Sequence, residues 1–316
     1  MKKKKIVFLK FLKTFLIQDK FALINSPLQL INLMEYQKKT NSKIRMPILI
    51  GYVDKISITQ IKNLNKEIFK LKNIFFLNQI ISLDFFKKIL FLKKNFLGFQ
   101  LCLIGDLNYH LFNAFYKKSK TNIIIDDGTA TLDSKNYINI KKTLFFTIFK
   151  KITNSKNVKI LENNLDLLKT LRLKKQKVDK KNLYILGSAS VERKFIEKEE
   201  FDKIIKSILK KFSKKKIFYI PHRYEKAEKY LKKFKKIKIK KISLPVELAI
   251  SNEKKIPSVV LGFYTTALFN LDKLYGKKIN IYNIQHSLDA IKIDFLIDRF
   301  KNIRRQTKIY GLRTFN

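Results

Sequence analysis

Short apolar runs alternate with longer amphipathic segments along most of the chain. Residues 217–220 form one such run of aromatic and β-branched residues, and Pro221 ends it because proline cannot donate to a β ladder. Apolar positions then recur every three or four residues from 223 to 234, which is the spacing of an amphipathic helix. Continuously apolar strands separated by helices predict parallel sheets that carry helices on both faces.

The alternation falls into two series, separated by the charged and aperiodic stretch 174–181, which we interpret as a linker. We therefore predict an α/β chain of two Rossmann-like domains, 1–175 and 182–316, that face each other across a ligand-binding cleft. The predicted strands are 21–25, 48–53, 74–77, 99–104, 122–125 and 158–161 in the first series, and 183–186, 217–220, 237–242, 258–261 and 279–282 in the second.

The start of the chain combines lysines with apolar residues. Lys10 and Lys13 interrupt the apolar positions and no small-residue cleavage site follows, so a signal peptide is not expected. Two interpretations stay open for this segment: a basic helix that lies on a membrane surface, and the first helix or strand of the core. Further along, Ser26 and Pro27 are expected to be the N-cap and the first residue of a helix.

Composition narrows the class of protein. Hydrophobic residues make up 46% of the 316 residues, which suits a globular protein and excludes intrinsic disorder. The formal net charge of +44 comes mostly from lysines spread along the whole chain, in a sequence also rich in Ile, Asn and Phe, which indicates an AT-biased genome. We therefore expect no nucleic-acid partner, but a surface that attracts anions such as an acidic membrane leaflet or a sugar nucleotide.

The sequence also suggests a compartment. Cys102 is the only cysteine, so no intramolecular disulfide can form and a reducing environment fits. No apolar run approaches the roughly 18 residues that a membrane span needs. We expect a cytoplasmic protein that can associate peripherally with the inner face of the membrane.

Polar residues follow several predicted strands, at the position where open α/β sheets bind ligands. His222 follows the proline that ends its strand, and it is one of three histidines in the chain. Asp126, Asp127 and Gly128 follow the strand at 122–125. Two carboxylates in this position can supply a general base or hold a metal, although Asp-Gly is also a common turn sequence.

Three more strand ends carry residues that suit a mononucleotide. Small residues from Gly187 to Ser190 can bring backbone N–H groups close to a phosphate, although they form no complete dinucleotide or P-loop motif. Glu247 can accept both hydroxyls of a ribose, and Thr265 with Thr266 can face an anion at a helix N-terminus. Because they end strands of one sheet, His222, Glu247 and the two threonines are expected to converge on one rim.

Six short motifs, taken in order, resemble bacterial sialyltransferases, in particular lipooligosaccharide sialyltransferase family 52 and the bacterial polysialyltransferases. The motifs are Ser-Pro-Leu-Gln (26–29), Asp-Asp-Gly-Thr (126–129), Leu-Gly-Ser (186–188), Pro-His (221–222), Pro-Val-Glu (245–247) and Tyr-Thr-Thr-Ala-Leu (264–268). The resemblance implies a GT-B fold and an inverting, metal-independent transfer. In this transfer reaction, sialic acid or a related nonulosonic acid moves from a CMP-sugar to a cell-surface glycan such as lipooligosaccharide, without a cofactor.

The resemblance also implies roles for single residues. The domain 1–175 would bind the acceptor, where Asp126 matches the proposed base for the acceptor hydroxyl and Asp127 is the alternative. The domain 182–316 would bind the CMP-sugar, and its His222 matches the histidine that contacts the phosphate and can protonate the leaving group. The other residues of this donor site are Gly187, Ser188, Glu247 for the ribose, and Thr265 with Thr266 for the phosphate.

Two positions depart from these families. Arg223 stands where members usually have proline after the histidine, which leaves the imidazole intact and can add a second positive contact. Ser190 stands where the lipooligosaccharide enzymes place an aspartate, so Glu192, which lies nearby, could be the base in a shifted register. Two alternatives also stay open: a GT-B glycosyltransferase that uses CMP-Kdo or a UDP-sugar, and a basic protein that binds nucleic acid.

Overall fold

The computed structural model describes residues 2–41, 46–133, 143–152, 155–285 and 294–315. The chain divides into two units, the first formed by Met1–Asp127 and Lys135–Leu167 and the second by Gly128–Ser134 and Leu168–Asn316. Each unit has its own parallel sheet and its own hydrophobic core.

Unit 1 is built on sheet A, whose described strands are β1 (Lys20–Ile24), β2 (Ile48–Ile50), β3 (Ile74–Phe76), β4 (Phe99–Ile104), β5 (Ser119–Ile125), β6 (Thr143–Thr147) and β7 (Val158–Glu162). The strands are parallel and lie in the order β3-β2-β1-β4-β5-β6-β7. This is the order of a Rossmann-like sheet. The predicted strands of the first series all overlap these, and β4 has the predicted bounds.

β6 overlaps no predicted strand. Its sequence, Thr-Leu-Phe-Phe-Thr, has a polar residue at each end, so the apolar run is only three residues long. Both threonines are buried, and both hydroxyls have partners: Thr143 Oγ1 lies 3.2 Å from the Tyr116 hydroxyl, and Thr147 Oγ1 donates to Asp126 Oδ2 (2.8 Å). Partners distant in sequence therefore stabilise, between β5 and β7, a strand that the local pattern does not identify.

The described helices of unit 1 are α1 (Lys2–Ile17), α2 (Pro27–Thr40), α3 (Lys55–Leu64), α4 (Leu77–Ile80), α5 (Leu83–Phe96) and α6 (His110–Lys118). The predicted start of α2 is confirmed, because Ser26 Oγ accepts from Gln29 N (3.2 Å) and Pro27 is the first helical residue. Asn41 ends this helix in the left-handed conformation, with φ of 49°.

The inner face of α1 is part of the core of unit 1. Phe11 and Phe15 of this helix are fully buried. The Phe15 ring centroid lies 5.4 Å from that of Phe21 in β1, 5.6 Å from Phe86 in α5 and 6.2 Å from Phe115 in α6. Aromatic pairs at these separations add to the stabilisation that burial provides. The segment thus contributes a helix to the core, one of its two expected interpretations.

Unit 2 is built on sheet B, whose described strands are β8 (Lys177–Leu186), β9 (Lys216–Ile220), β10 (Ile237–Ile239), β11 (Lys255–Phe263), β12 (Asn280–Ile284) and β13 (Arg313–Phe315). The strands are parallel and lie in the order β10-β9-β8-β11-β12-β13, which repeats the connectivity of the first six strands of sheet A. The predicted α/β architecture of two Rossmann-like units is confirmed.

Two features of sheet B differ from the sequence-based prediction. β8 begins at Lys177, inside the stretch 174–181 that was expected to be a linker. Its first residues pair with the start of β11, Lys177 with Lys255, and this long-range pairing cannot be recognised in a charged local sequence. The edge strand β13 has only three residues and was not predicted.

The described α-helices of unit 2 are α8 (Lys198–Lys211), α9 (Ala227–Leu231), α10 (Val246–Ser251), α11 (Thr266–Tyr275) and α12 (Asp294–Tyr310), and α7 (Asp166–Leu171) spans the division between the units. A 3-10 turn, Gly128–Leu132, also belongs to unit 2. α9 is shorter than the predicted helix 223–234, because Glu225 N donates to His222 O (2.8 Å) and forms a turn before it. In the part of the chain that the structure describes, no helix is both long and apolar enough to cross a membrane.

Candidate functional site

At the carboxyl edge of sheet B the strand order reverses between β8 and β11. Open α/β sheets bind ligands at such a point, just beyond the carboxyl ends of the strands. The two loops here are residues 187–190 after β8 and 264–266 after β11. Ala189 and Tyr264 have positive φ values, 53° and 48°, which are uncommon for residues that carry a side chain. Such strained residues cluster at functional sites, so both loops are candidates for ligand contact.

Gly187 follows β8 and packs against the carboxylate of Glu225. A Cβ at Gly187 would overlap Glu225 Oε2 and lie 2.9 Å from the Tyr219 hydroxyl, so this position has no room for a side chain. The backbone N–H of Gly187 donates to Ile220 O (2.9 Å). This N–H therefore belongs to the edge of the sheet, and the residues after it offer the polar groups of the loop.

Ser188 and Ser190 flank the buried Ala189. Their hydroxyl oxygens lie 2.5 Å apart and share one hydrogen bond. Each hydroxyl has one proton to donate, so only one of the two protons is used between them. The loop can thus donate a hydrogen bond to a ligand at the point where the strand order reverses.

His222 follows β9 and begins the turn that leads to α9. Its backbone N–H donates to Glu225 Oε2 (2.9 Å), and its Nδ1 accepts from Tyr224 N (3.3 Å). The bond to Glu225 has the spacing of one half of a capping box, in which a glutamate accepts from the backbone N–H three residues earlier. Here it closes a turn, because the N-cap of α9 is Lys226. Because Nδ1 accepts a hydrogen bond, the proton of the neutral imidazole is on Nε2.

The charge state of His222 follows from its surroundings. Burial lowers the pKa of His222 to about 4, and the neighbouring guanidiniums of Arg223 and Arg193 contribute to the shift. The imidazole is therefore neutral at pH 7. In this state it can donate a hydrogen bond from Nε2 but carries no positive charge.

Arg193 and Arg223 supply the positive charge next to His222. Both guanidiniums lie over the ring of Tyr224, with Cζ 5.4 and 4.9 Å from the ring centroid. Among the described residues neither has a carboxylate or hydrogen-bond partner, and Arg223 Nε is buried without one. Arg299, by contrast, donates from Nε to Asp133 Oδ1 (2.7 Å).

Two unpaired guanidiniums side by side are electrostatically costly. Burial lowers the pKa of Arg193, and the positive charges of Arg223 and Arg299 lower it further. Cation–π contact with one tyrosine offsets only part of this cost. An anion offers what the protein does not, because arginine binds phosphate and carboxylate groups through two parallel hydrogen bonds.

Glu225 is central to the site and was not predicted. Its Oε1 accepts from the hydroxyls of Tyr219 (2.5 Å) and Tyr230 (2.6 Å), and its Oε2 accepts from His222 N. Burial raises the pKa of Glu225, while these hydrogen bonds act in the opposite direction. A signal for this residue does exist in the sequence, since a glutamate three residues after His222 has the spacing of a capping box.

Glu192 contacts the same segment. Its Oε1 accepts from Lys226 N (2.5 Å), and its Oε2 is buried without a hydrogen-bond partner in the described ranges. The structure thus brings four of the predicted site residues together around Glu225 and Tyr224. They are Gly187, Glu192, His222 and Arg223.

Thr265 and Thr266 lie at the start of α11. Thr265 is its N-cap, and Thr265 Oγ1 accepts from Ala267 N (3.4 Å). Thr266 Oγ1 accepts from Thr129 N (2.6 Å), which is part of the 3-10 turn in unit 2. Both hydroxyl oxygens are acceptors in these contacts, so both protons can still be donated to an anion.

Glu247, expected to bind a ribose, lies at the start of α10 and is buried. Its Oε1 accepts from Asn270 Nδ2 (2.7 Å), which links α10 to α11. Burial raises the pKa of Glu247. This placement explains a structural role for the carboxyl group, and its contact with a ribose stays a prediction.

Asp126 and Asp127 follow β5 in unit 1. Asp126 is buried, and its Oδ2 accepts from Thr147 Oγ1 (2.8 Å) and Ile148 N (3.1 Å), so its carboxylate joins the ends of β5 and β6. Asp127 is partly exposed, and its Oδ1 accepts from Gln29 Nε2. Of the two, Asp127 is the carboxylate that a ligand can approach.

Gln29 connects Asp127 to the point where the strand order of sheet A reverses, between β1 and β4. Gln29 Oε1 accepts from Asn25 N (2.5 Å), and Asn25 Nδ2 donates to Asp106 Oδ2 (3.3 Å). Asn25 Oδ1 is buried without a partner in the described part of the chain. Polar side chains therefore line this edge, and Gly105 leaves room for Gln29 because a Cβ there would overlap the Gln29 side chain.

A metal site has no support from side-chain clustering. Within the described ranges, no group of three or more His, Cys, Asp or Glu side chains is arranged to hold a metal ion. The carboxylates of Asp126 and Asp127 instead have hydrogen-bond donors as partners.

Comparison with known proteins identifies the fold. No protein-family model matches the chain, and no curated protein sequence is significantly similar to it. The chain is similar in structure to Methanocaldococcus jannaschii UDP-GlcNAc 2-epimerase in complex with UDP-GlcNAc and UDP, with a TM-score of 0.53 and 14% identity over 92% of each chain. It is also similar to S. aureus MnaA in a co-structure with UDP, with a TM-score of 0.52 and 12% identity over 93% of this chain and 90% of that one. At these identities the similarity shows the fold alone, which is of the GT-B type.

Proposed function

We propose that this protein is a glycosyltransferase that binds an anionic sugar nucleotide at the carboxyl edge of sheet B. One observation carries the proposal: Arg193 and Arg223, which have no anionic partner among the described residues, lie beside the neutral imidazole of His222. This set offers two positive charges and an uncharged donor at a strand end. Such an arrangement suits a ligand with two anionic groups close together.

The fold supports a sugar nucleotide as this ligand. Two proteins of similar fold are described in complex with UDP, and one of them also with UDP-GlcNAc. Ligands of Rossmann-like units bind where the strand order reverses, which in sheet B is next to Gly187 and Thr265. We assign the hydroxyls of Ser188, Thr265 and Thr266 to the same ligand as hydrogen-bond donors.

The donor we favour is a CMP-activated nonulosonic acid such as CMP-sialic acid. It carries a phosphate and a carboxylate on the same anomeric carbon, so each group can pair with one guanidinium. The motif resemblance to sialyltransferases supports this donor. A UDP-sugar also carries two adjacent anionic groups, its phosphates, and is the alternative donor.

The chemistry then needs stabilisation of a departing phosphate more than strong acid catalysis. The bond between the anomeric carbon and the phosphate oxygen breaks, and its electron pair leaves with CMP. Arg193, Arg223 and the Nε2–H of His222 stabilise that developing charge, which is the kind of preorganised electrostatic effect that dominates many enzymes. The acceptor hydroxyl oxygen bonds to the same carbon from the opposite face, which inverts its configuration.

For the general base that takes the acceptor proton we propose Asp127, which follows β5. Asp126 is buried and its Oδ2 is held by Thr147 and Ile148, so we assign it the role of positioning the loop. Asp127 is accessible and is oriented by Gln29. Asn25 and Asp106, at the same edge of sheet A, provide amide and carboxylate groups of the kind that bind sugar hydroxyls.

A second function is favoured by the comparison itself. The M. jannaschii protein of similar fold is a UDP-GlcNAc 2-epimerase, and an epimerase would bind the same class of ligand. The two functions differ in what they require. A transferase releases its nucleotide when an acceptor is present, whereas an epimerase changes the sugar nucleotide without an acceptor.

The test is incubation of the purified protein with CMP-sialic acid, CMP-Kdo and UDP-GlcNAc, each with and without a lipooligosaccharide acceptor. We expect release of CMP that depends on the acceptor, measured by chromatography of the nucleotides. Asp127→Asn should lower this rate by about 10²–10⁴-fold, the usual contribution of a general base. Acceptor-independent conversion of UDP-GlcNAc to its 2-epimer, or a fully active Asp127→Asn variant, contradicts the proposal.

A further inference from the structure

The outer faces of α1 and α5 in unit 1 expose large apolar side chains. On α1 they include Ile6 (66% exposed), Leu9 (53%) and Ile17 (66%), and on α5 they include Phe91 (61%) and Leu92 (52%). Single exposed apolar residues are ordinary on protein surfaces, but a group of this size marks an interaction surface.

The two helices that carry these exposed residues are neighbours in the fold. The rings of Phe8 in α1 and Phe85 in α5 are 6.3 Å apart, and Lys93 Nζ of α5 donates to Leu16 O of α1 (3.1 Å). The helices are therefore in direct contact. We call the surface formed by Ile6, Leu9, Ile17, Phe85, Phe91 and Leu92 the α1–α5 surface.

Packing in the core of unit 1 does not explain why the outer faces of α1 and α5 are apolar. The buried face of α1 already carries Phe11 and Phe15, and α5 buries Phe86 and Leu90. Both helices are thus apolar on the inner face and partly apolar on the outer face. A helix that only covers a core has charged and polar residues on its outer face.

The charged residues of this surface are almost all positive. The sequence of α1 contains no acidic residue, and its Lys10 and Lys13 are exposed. On α5, Lys87 and Lys88 are exposed, and the one acidic residue, Asp84, lies 3.9 Å from Lys87. Apolar side chains interspersed with lysines are the pattern of helices that lie in the headgroup region of a membrane.

We propose that the α1–α5 surface docks on an anionic lipid bilayer, with its apolar side chains in the headgroup and acyl boundary and its lysines on the lipid phosphates. Charge decides between a membrane and a second copy of this chain. Two copies would bring lysines against lysines, whereas an anionic leaflet complements them. The proposal is independent of the sugar-nucleotide site, which lies in unit 2.

The experiment is flotation of the full chain with vesicles of phosphatidylcholine alone or mixed with phosphatidylglycerol. We expect binding to the mixed vesicles that weakens as salt is added, because exposed charges are screened. The variant Ile6→Ser/Leu9→Ser/Ile17→Ser should bind these vesicles about tenfold less, since it lacks the apolar contacts of α1. Its circular dichroism and unfolding temperature should match those of the wild type, because all three side chains are exposed.

The matched control is Ile160→Ser/Val178→Ser/Ile309→Ser, which removes three exposed apolar side chains from other places in the fold. This control should bind the mixed vesicles as the wild type does. Equal binding by all three proteins, or an equal loss in both variants, overturns the proposal. A wild-type dimer that binds neither kind of vesicle and becomes monomeric in the α1 variant would also overturn it, because the surface would then join two copies.

Discussion

Single residues near His222 determine what the site can do to an anionic ligand. Burial lowers the pKa of His222, and Arg223 and Arg193 lower it further, so the imidazole is neutral in the free protein. It therefore offers a ligand an uncharged hydrogen-bond donor. A bound phosphate would neutralise these guanidiniums and raise the pKa of the imidazole again. In the proposed reaction the same residue is uncharged in the free protein and donates its Nε2 hydrogen bond to the phosphate of the departing nucleotide.

The low pKa of His222 predicts a pH-dependent stability. In the unfolded chain the imidazole titrates near its ordinary value of 6.5, whereas in the folded chain it titrates near 4. Between these values the unfolded state binds more protons, so stability is fully present above pH 6.5 and is lost as the pH falls towards 4. The loss between pH 6.5 and pH 4.5 should be about 2 kcal/mol.

The measurement is urea unfolding of the wild type and of His222→Asn across this pH range. In His222→Asn the unfolding free energy should fall less steeply between pH 6.5 and pH 4.5, because the imidazole that titrates there has been removed. The carboxyls of Glu225 and Glu247, whose pKa values are raised, contribute to both proteins equally and cancel in the comparison. Identical slopes for the two proteins would show that His222 titrates normally.

The elements that local sequence specifies were predictable, and those that distant partners specify were not. β4 has its predicted bounds because its six residues form an apolar run, and α2 starts at Ser26-Pro27 because both residues act locally. The first half of β8 is charged, and only its pairing with β11 makes it a strand. Sequence patterns give the period of an element, but they do not give its partner.

The same distinction applies to the site. His222 and the loops after β8 and β11 were found from their places at strand ends. Arg193 was missed, because nothing in its local sequence indicates that it meets Tyr224 from a separate loop. Glu225 was missed although its spacing from His222 was visible, since the interpretation of 223–234 as a single helix concealed the capping pattern.

At the scale of elements, the contact between the end of β8 and the turn after β9 predicts a cost for Gly187→Ala. The new Cβ would overlap Glu225 Oε2, so the turn must shift, at a cost of about 1–3 kcal/mol in unfolding free energy. The measurement is a double-mutant cycle in urea. In the Glu225→Ala background the cost should fall, because the overlapping carboxylate is absent. An equal cost in both backgrounds would exclude this contact as its cause.

The whole molecule carries a net charge of +44, which by itself attracts every anion. Screening separates this general attraction from a specific site, because interactions between exposed charges are largely lost beyond about 8 Å at physiological salt. Arg193 and Arg223 are two of the 69 basic residues. They are distinguished by their position, because both guanidiniums lie over the ring of Tyr224. The central claim is therefore that these two side chains, rather than the total charge, bind the nucleotide.

The most direct test is calorimetric titration of CMP and of UDP into three proteins at physiological salt. These are the wild type, Arg193→Ala/Arg223→Ala, and the control Lys206→Ala/Lys210→Ala, which removes two exposed charges of α8. The account predicts that the arginine variant binds its nucleotide at least about 100-fold more weakly, since each of two charge-assisted hydrogen bonds contributes about 1.5–3 kcal/mol, and that the control stays within about twofold of the wild type. Equal affinities in the arginine variant and the wild type, or equal losses in the two variants, would contradict it.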